Sequence, residues 1–227
     1  MRERTTILIP TLDEVPTIGN LIRAFKSLKF DNVLVIDGHS TDGTIEAAEA
    51  AGADVVLQDG KGKGVAVRQA FELIDTDFAV MIVGDGTYSP YEVFKLLIPV
   101  KDARADHTVG VRLCGKGALS PLHQFGNFCL NEAFRLKHSV HVADLCSGYR
   151  AFTKGCIKSF DLSVDGFEVE AEMTLQTLRS GLKLHEEYVT YVPRRNGEHP
   201  KLRSFTDGYR ILRTVLAMPQ TPKSKSI

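Results

Sequence analysis

The sequence predicts an α/β fold in which a mostly parallel central sheet is flanked by helices. Two observations lead there. Across residues 5–100, short apolar runs alternate with amphipathic stretches, which calls for strand–helix–strand units joined by right-handed crossovers. Three of those runs, 5–10, 32–36 and 78–83, end in polar groups at Pro10-Thr11, Asp37 and Asp85. In a parallel sheet such strand ends share one edge, where open α/β sheets take their ligands.

Residues 5–10 read as a strand, and Pro10-Thr11-Leu12-Asp13-Glu14 as the turn after it. Asp13 or Thr17 is placed to cap a helix that carries Ile18, Leu21, Ile22 and Phe25 at helical spacing and ends near Lys29. Residues 32–36 are a second strand closed by Asp37. Gly38-His39-Ser40-Thr41-Asp42-Gly43-Thr44 is then a polar loop opening a helix over 45–51. A short strand, Asp54-Val55-Val56-Leu57, leads into Asp59-Gly60-Lys61-Gly62-Lys63-Gly64. That loop lacks the spacing and the hydroxyl of a Walker phosphate loop. Its glycines permit close backbone approach and its lysines suit a phosphate or carboxylate; the plainer reading is a solvated loop. A helix over 65–73 returns the chain to Phe78-Ala79-Val80-Met81-Ile82-Val83, a buried strand that delivers Gly84-Asp85-Gly86-Thr87 to its carboxyl end.

A mostly core helix over 91–100 follows, then a strand over 107–113 that ends near Arg112. Residues 125–136 form an amphipathic helix with Phe125, Phe128, Leu130, Ala133 and Phe134. The stretch 144–152 is a turn into a strand, with Asp144 and Arg150 at its ends. A helix over 166–179 opens with Glu168, Glu170 and Glu172, where the helix dipole favours negative charge. A last strand over 187–192 runs into Pro193-Arg194-Arg195-Asn196-Gly197-Glu198-His199-Pro200-Lys201-Leu202-Arg203. That basic segment suits one or two phosphates, since Arg offers a bidentate fork and Lys a point charge. The final helix, 205–216, sets Tyr209, Leu212, Val215 and Leu216 against Arg210 and Arg213. It reads as docked to the core, with membrane contact as the alternative. One domain over 1–218 with a disordered tail over 219–227 is expected.

Lys+Arg 28 against Asp+Glu 28 gives a formal charge of zero, so nothing global argues for a nucleic-acid partner. Cys114, Cys129, Cys146 and Cys156 are scattered without a Cys-x-x-Cys pair, which fits reduced cytosolic thiols rather than a zinc site or disulfides. No targeting peptide is read at the start, and no apolar run approaches the roughly 20 residues that span a bilayer. A soluble or peripheral chain in the cytoplasm is expected.

These residues resemble the inverting family 2 glycosyltransferases, and within them the dolichyl-phosphate hexosyltransferases (dolichol-phosphate mannose synthase-like), over about residues 5–213. Ile7-Leu8-Ile9-Pro10-Thr11-Leu12-Asp13-Glu14 is similar to that family's Pro-Thr-Tyr-Asn-Glu opening. Val35-Ile36-Asp37-Gly38-His39-Ser40-Thr41-Asp42-Gly43-Thr44 is similar to its Val-Asp-Asp-Gly-Ser-x-Asp-Gly-Thr motif, and Gly60-Lys61-Gly62-Lys63-Gly64 to its Gly-x-Gly loop. The resemblance implies a single Rossmann-like GT-A domain that binds a UDP- or GDP-linked sugar. Pro10, Thr11, Glu14, Asp37 and Ser40 would hold the nucleoside, joined by Lys63, Gly84 and Gly86 around the donor. It implies that Asp85, with Thr87 beside it, carries Mg²⁺ or Mn²⁺ on the diphosphate. It also implies that Arg112, Arg150, Arg195 and Lys201 present a polyprenyl (dolichyl-type) phosphate at the cytoplasmic membrane face, a nucleophile already ionised and needing no base.

The chain departs from the family pattern at three places. Val83 stands where the metal motif has its first Asp, Gly38 and His39 follow Asp37, and the Arg-x-x-Gly-x-Ser-Lys segment appears as Arg195-Asn196-Gly197-Glu198-His199-Pro200-Lys201. If the acceptor is instead a sugar or small-molecule hydroxyl, Asp144, Glu168 and Glu170 are the candidate bases. A nucleotidyltransferase and a non-catalytic nucleotide-sugar-binding protein are the remaining alternatives.

Overall fold

A seven-stranded sheet runs through the computed structural model, which describes residues 4–114, 120–194 and 204–220. Its strands are β1 (Thr5–Thr11), β2 (Asn32–Asp37), β3 (Asp54–Leu57), β4 (Phe78–Met81), β5 (His107–Cys114), β6 (Arg150–Thr153) and β7 (Leu184–Tyr191). They lie in the order β3-β2-β1-β4-β6-β5-β7. β1, β2, β3 and β4 are parallel, as are β5 and β7, while β6 runs antiparallel between β4 and β5. The chain has a GT-A fold. Helices α1 (Val15–Ser27), α2 (Thr44–Ala50), α3 (Lys63–Leu73), α4 (Val93–Lys101), α5 (Pro121–His138), α6 (Lys154–Lys158), α7 (Val169–Arg179) and α8 (Ser204–Ala217) cover it.

The period-two pattern of β1 explains why both faces are covered. Ile7 and Ile9 pack on one side with Ile18, Ile22 and Phe25 of α1 and Leu96 and Leu97 of α4. Leu8 points the other way, into Ala66, Val67 and Ala70 of α3 and Met173 of α7. A third core joins Leu130 and Phe134 of α5, Leu175 of α7, and Ile211 and Val215 of α8. The strand ends come together as the sequence predicts: Thr11 pairs with Asp37 in register, Gly38 N donates to Thr11 O (2.9 Å), and Ile82 N donates to Leu8 O (2.9 Å).

Several elements differ from expectation for local reasons. Helix α5 starts four residues before 125, because the Ser120 hydroxyl accepts from His123 N (3.3 Å) and Pro121 supplies its first turn. Phe125 and Phe128, read as part of one apolar face with Leu130 and Phe134, are exposed while the latter two are buried. Neither Asp13 nor Thr17 caps α1: Asp13 Oδ1 accepts from Thr41 N (2.8 Å), and Thr17 Oγ1 donates to Gly84 O (2.6 Å). Helix α6, absent from the sequence reading, is capped by Thr153, whose hydroxyl accepts from Cys156 N (3.1 Å).

The glycine-rich loop approaches the chain's own backbone rather than an open cleft. A Cβ on Gly64 would lie 2.1 Å from Val164 O, and one on Gly62, at φ +107°, 2.2 Å from Asp165 O. Gly64 N donates to Asp165 O (2.8 Å) there. Gly64→Ala is therefore expected to destabilise the fold by roughly 2 kcal/mol or more, since backbone must move to admit the methyl group. Gly126→Ala in α5, with nothing within 4 Å of the added carbon, should stabilise by up to about 1 kcal/mol. Thermal unfolding of the two variants checks the contrast, and equal midpoints would contradict it.

Candidate active site

The loops after β1 and β2 are stitched to each other by side chains. Asp13 N donates to Ser40 Oγ (2.7 Å), Glu14 N to Thr44 Oγ1 (2.8 Å), and Val15 N to Asp42 Oδ2 (3.1 Å). Burial works against the Asp42 charge, but the hydrogen bonds from Thr44 and from backbone N–H groups outweigh it and hold the carboxyl below its ordinary value. Asp37 is fully buried, with Oδ1 accepting from Ser40 N (2.7 Å) and Oδ2 from Ser40 Oγ (2.6 Å). In this structure their polar groups hold the 37–40 turn in shape beside Pro10 and Thr11. His39, at φ +68°, donates from Nε2 to Gln58 O (2.8 Å) and fixes the same turn from the other side.

Asp85 projects from the end of β4 into this corner. Both flanking glycines are needed for close packing: a Cβ on Gly84 would lie 3.0 Å from Thr11 Oγ1, and one on Gly86, at φ +70°, 2.8 Å from Thr17 Cγ2. Asp85 Oδ1 accepts from Thr87 N (3.1 Å) and Thr87 Oγ1 (2.6 Å). Its Oδ2 accepts from Arg194 Nη2 (2.7 Å), while Arg194 Nη1 lies 3.5 Å from Glu14 Oε1. One guanidinium thus bridges two buried carboxylates at the ends of β1 and β4. The segment carrying it is held by Val192 N donating to Thr87 O (2.9 Å) and by the Tyr88 and Tyr191 rings, 5.0 Å apart.

Asp85 and Thr87 fit a hard divalent cation in donor type, since Asp85 and Glu14 already converge on a positive group. Among the described residues no three His, Cys, Asp or Glu side chains form a metal-binding group. The protein would therefore supply one carboxylate, with substrate phosphates and water completing the shell.

Lys63 does not point to an open phosphate site. Its ammonium is paired with Glu170 Oε1, with both side chains largely buried, and lies 5.8 Å from the Phe167 ring centroid. A Cβ on Gly148 would touch both Lys63 Nζ and Val83 Cγ1 at 3.2 Å, so the pair sits beside Val83. Among the described residues, Glu170 Oε2 and Glu168 Oε2 are buried and have no hydrogen-bond partner. Glu172 faces elsewhere, accepting from the Ser163 hydroxyl (2.7 Å).

The cations of the second half divide. Arg112 makes a bidentate pair with Asp144 (2.7 and 2.8 Å), and its Cζ lies 5.3 Å from the Tyr191 ring centroid. Burial opposes its charge, but Asp144 outweighs burial and raises the Arg112 pKa well above its ordinary value. Because Tyr191 also packs on Tyr88, Arg112 belongs to the wall next to Asp85.

Arg150 must be corrected. It is fully buried, donating to Ser147 O (2.7 Å), Leu145 O (2.8 Å) and Thr174 Oγ1 (2.8 Å), with His107 Nε2 at 3.2 Å. A guanidinium so enclosed holds the β5–β6–α7 junction together and presents nothing to an acceptor. Arg195 and Lys201 lie outside the described residues. Arg194 was missed as a site residue, because it stands first of two arginines in a basic run and the sequence does not say which one turns inward.

The Glycosyl transferase family 2 domain matches residues 6–159, and the chain belongs to that family of glycosyltransferases. It is 42% identical to the glycosyltransferase AglJ of Haloferax volcanii over 89% of this chain and 67% of that protein. It is 35% identical to the low-salt glycan biosynthesis hexosyltransferase Agl6 of the same organism over 93% of this chain, but spans only 52% of that protein. It is 29% identical to the polyprenol monophosphomannose synthase of Mycolicibacterium smegmatis over 86% of this chain and 80% of that one. A crystal structure of glucosyl-3-phosphoglycerate synthase from Mycobacterium tuberculosis, in complex with Mn²⁺, UDP-glucose and phosphoglyceric acid, shares the fold. Its TM-score is 0.78 at 21% identity, covering 96% of this chain and 81% of that one.

His107 supplies a pH test of the buried junction. Thr177 Oγ1 donates to Met173 O (2.8 Å), so it accepts from His107 Nδ1–H (2.8 Å), which leaves Nε2 to accept from Arg150. Burial first, then the charge of Arg150, push the His107 pKa well below 6.5. Below pH 6.5 the unfolded chain takes up a proton that the folded chain refuses, so stability is lost as pH falls. The unfolding midpoint is expected to drop with acidification through that range, and His107→Gln to flatten the dependence. An unchanged slope in the variant would remove His107 as its source.

Proposed function

We propose that this glycosyltransferase moves a hexose or N-acetylhexosamine from a UDP- or GDP-sugar to a polyprenyl phosphate at the cytoplasmic face of a membrane. The observation that carries the reading is the Arg194 guanidinium bridging Glu14 and Asp85 at the carboxyl ends of β1 and β4. A cleft that gathers a cation and two acids at this edge is built for a diphosphate with its counter-ion. Relatives named as a polyprenol monophosphomannose synthase and an undecaprenyl-phosphate mannosyltransferase support the choice of acceptor.

Asp85, with the Thr87 hydroxyl beside it, would hold Mg²⁺ or Mn²⁺, which when bound neutralises charge on the departing nucleoside diphosphate. Pro10, Thr11 and the turn shaped by Asp37 and Ser40 form the wall against which the nucleoside lies. Arg194 moves from Asp85 onto the diphosphate, exchanging one anionic partner for another, so its charge stays compensated throughout. Arg112, steadied by Asp144, adds positive potential on the acceptor side, together with Arg195 and Lys201. The acceptor phosphate is ionised at neutral pH, so the chain needs only to orient it for in-line attack on the anomeric carbon, which inverts that centre.

A hydroxyl acceptor is the second reading, favoured by the unpartnered buried oxygens of Glu168 and Glu170, either of which offers a base. Incubation of the enzyme and a nucleotide sugar with a polyprenyl phosphate or with an oligosaccharide separates the two. Glycosylated lipid phosphate is the expected product.

Asp85→Asn should lower transfer by about 10²-fold or more, the scale of losing one charge-stabilising group, with a far smaller change in unfolding midpoint. Retained turnover would take Asp85 out of the mechanism. Calorimetric titration of the protein with nucleotide sugar should show tighter binding with Mn²⁺ than with a chelator present, and Arg194→Gln should weaken binding in both conditions. Affinity indifferent to Arg194 would place the diphosphate elsewhere.

A further inference from the structure

Gln58, the residue after β3, is buried and held at three points. Its backbone N donates to Asp37 O (2.8 Å), its carbonyl oxygen is bonded by the His39 ring (2.8 Å), and its side-chain Nε2 donates to Gly62 O (2.8 Å). Because a backbone carbonyl can only accept, the amide nitrogen is the end that faces Gly62. The amide orientation is thereby fixed, and Oε1 is left at the other end. Among the described residues Oε1 has no hydrogen-bond partner, although Gln58 is only 5% exposed.

That oxygen lies against the turn after β2. A Cβ on Gly38 would stand 3.4 Å from Gln58 Oε1, 3.4 Å from Thr11 O and 3.5 Å from Leu12 Cβ. These are ordinary contact distances, so a side chain at position 38 would fit and would cover the oxygen. Glycine leaves it uncovered. Leu12 beside it is 41% exposed and offers an apolar face to a flat ring. His39 bonds Gln58 O from a backbone at φ +68°, a conformation that is uncommon outside glycine. Gly38 and His39 are both places where the chain departs from the family motif, and both bear on Gln58.

We infer that Gln58 Oε1 accepts a hydrogen bond from the base of the donor nucleotide and selects bases that carry a ring N–H, uracil through N3 and guanine through N1. This rests on the proposal above that a nucleotide sugar lies along this wall. Cytosine and adenine have a lone pair on the corresponding ring nitrogen. Either base sets lone pair against lone pair and leaves a buried acceptor unsatisfied, a mismatch that separates substrates more sharply than a lost apolar contact. The three bonds to Gln58 hold the oxygen in place before the base arrives, so little ordering is left to occur on binding.

The test is calorimetric titration of the full chain with UDP, GDP, CDP and ADP in the presence of Mn²⁺. UDP or GDP is expected to bind at least about tenfold more tightly than CDP and ADP, the scale of one buried hydrogen bond. Gln58→Leu removes the acceptor, while Gly38→Ala lays a methyl group over it and keeps every bond to Gln58. Each should weaken the tight ligand by about tenfold and leave CDP and ADP unchanged, with the unfolding midpoint of Gly38→Ala nearly native. Inorganic pyrophosphate, which has no base, should bind native and variant chains alike and so reports on the diphosphate seat by itself. If neither pyrophosphate nor any nucleotide binds, that seat fails and the base reading falls with it. If pyrophosphate binds while the four nucleotides rank equally, or if Gly38→Ala keeps the native ranking, the base reading alone is overturned.

Discussion

The contact of Arg194 with Asp85 and Glu14 is the constraint on which the rest of the cleft depends. Two carboxylates held away from water at neighbouring strand ends repel each other and lose hydration, and a single guanidinium between them offsets both effects. The contact is also the place where the segment after β7 meets the loops after β1 and β4. Tyr191 packs on Tyr88, Val192 bonds Thr87 O, and Arg194 closes over the end of β4. The pocket edge is therefore assembled from segments more than a hundred residues apart in sequence, and the guanidinium reaches both carboxylates only when the segments are in place.

Behind that edge, buried charges are paired or enclosed by polar groups. Arg112 pairs with Asp144, Lys63 with Glu170, and Arg150 is enclosed by carbonyl and hydroxyl oxygens and the neutral His107. Removing one member of such a set strands its partner in a medium that solvates charge poorly. This explains why basic residues that look alike in the sequence have different tasks. Arg150 fixes the crossing of β6 between β4 and β5, Arg112 stiffens the wall by Tyr191, and Arg194 joins Glu14 to Asp85.

The parallel half of the fold and the meeting of its strand ends were legible from the sequence, because apolar runs of strand length ended in Pro10-Thr11, Asp37 and Asp85. The antiparallel β6 was not, since four residues in a polar context carry no sign of direction. That Asp37 and Ser40 bond each other across the turn is a local pairing that composition cannot reveal. The glycines around Lys63 signalled close approach correctly, but the partner was the backbone at Val164 and Asp165, distant in sequence. Burial separated Arg150 from Arg194, and burial is a property of the packed chain. On α5, Phe125 and Phe134 read as one amphipathic pattern until packing showed that they face opposite ways.

The central claim is that the carboxylate pair bridged by Arg194 is the seat of the donor diphosphate. It is tested most directly by a crystal structure of the protein with a nucleoside diphosphate and Mn²⁺. The account predicts phosphate oxygens within hydrogen-bond reach of Arg194, the ion on Asp85, and the 2.7 Å contact between Arg194 Nη2 and Asp85 Oδ2 broken. A nucleotide bound elsewhere, with Arg194 still seated on Asp85 and Glu14, would contradict it.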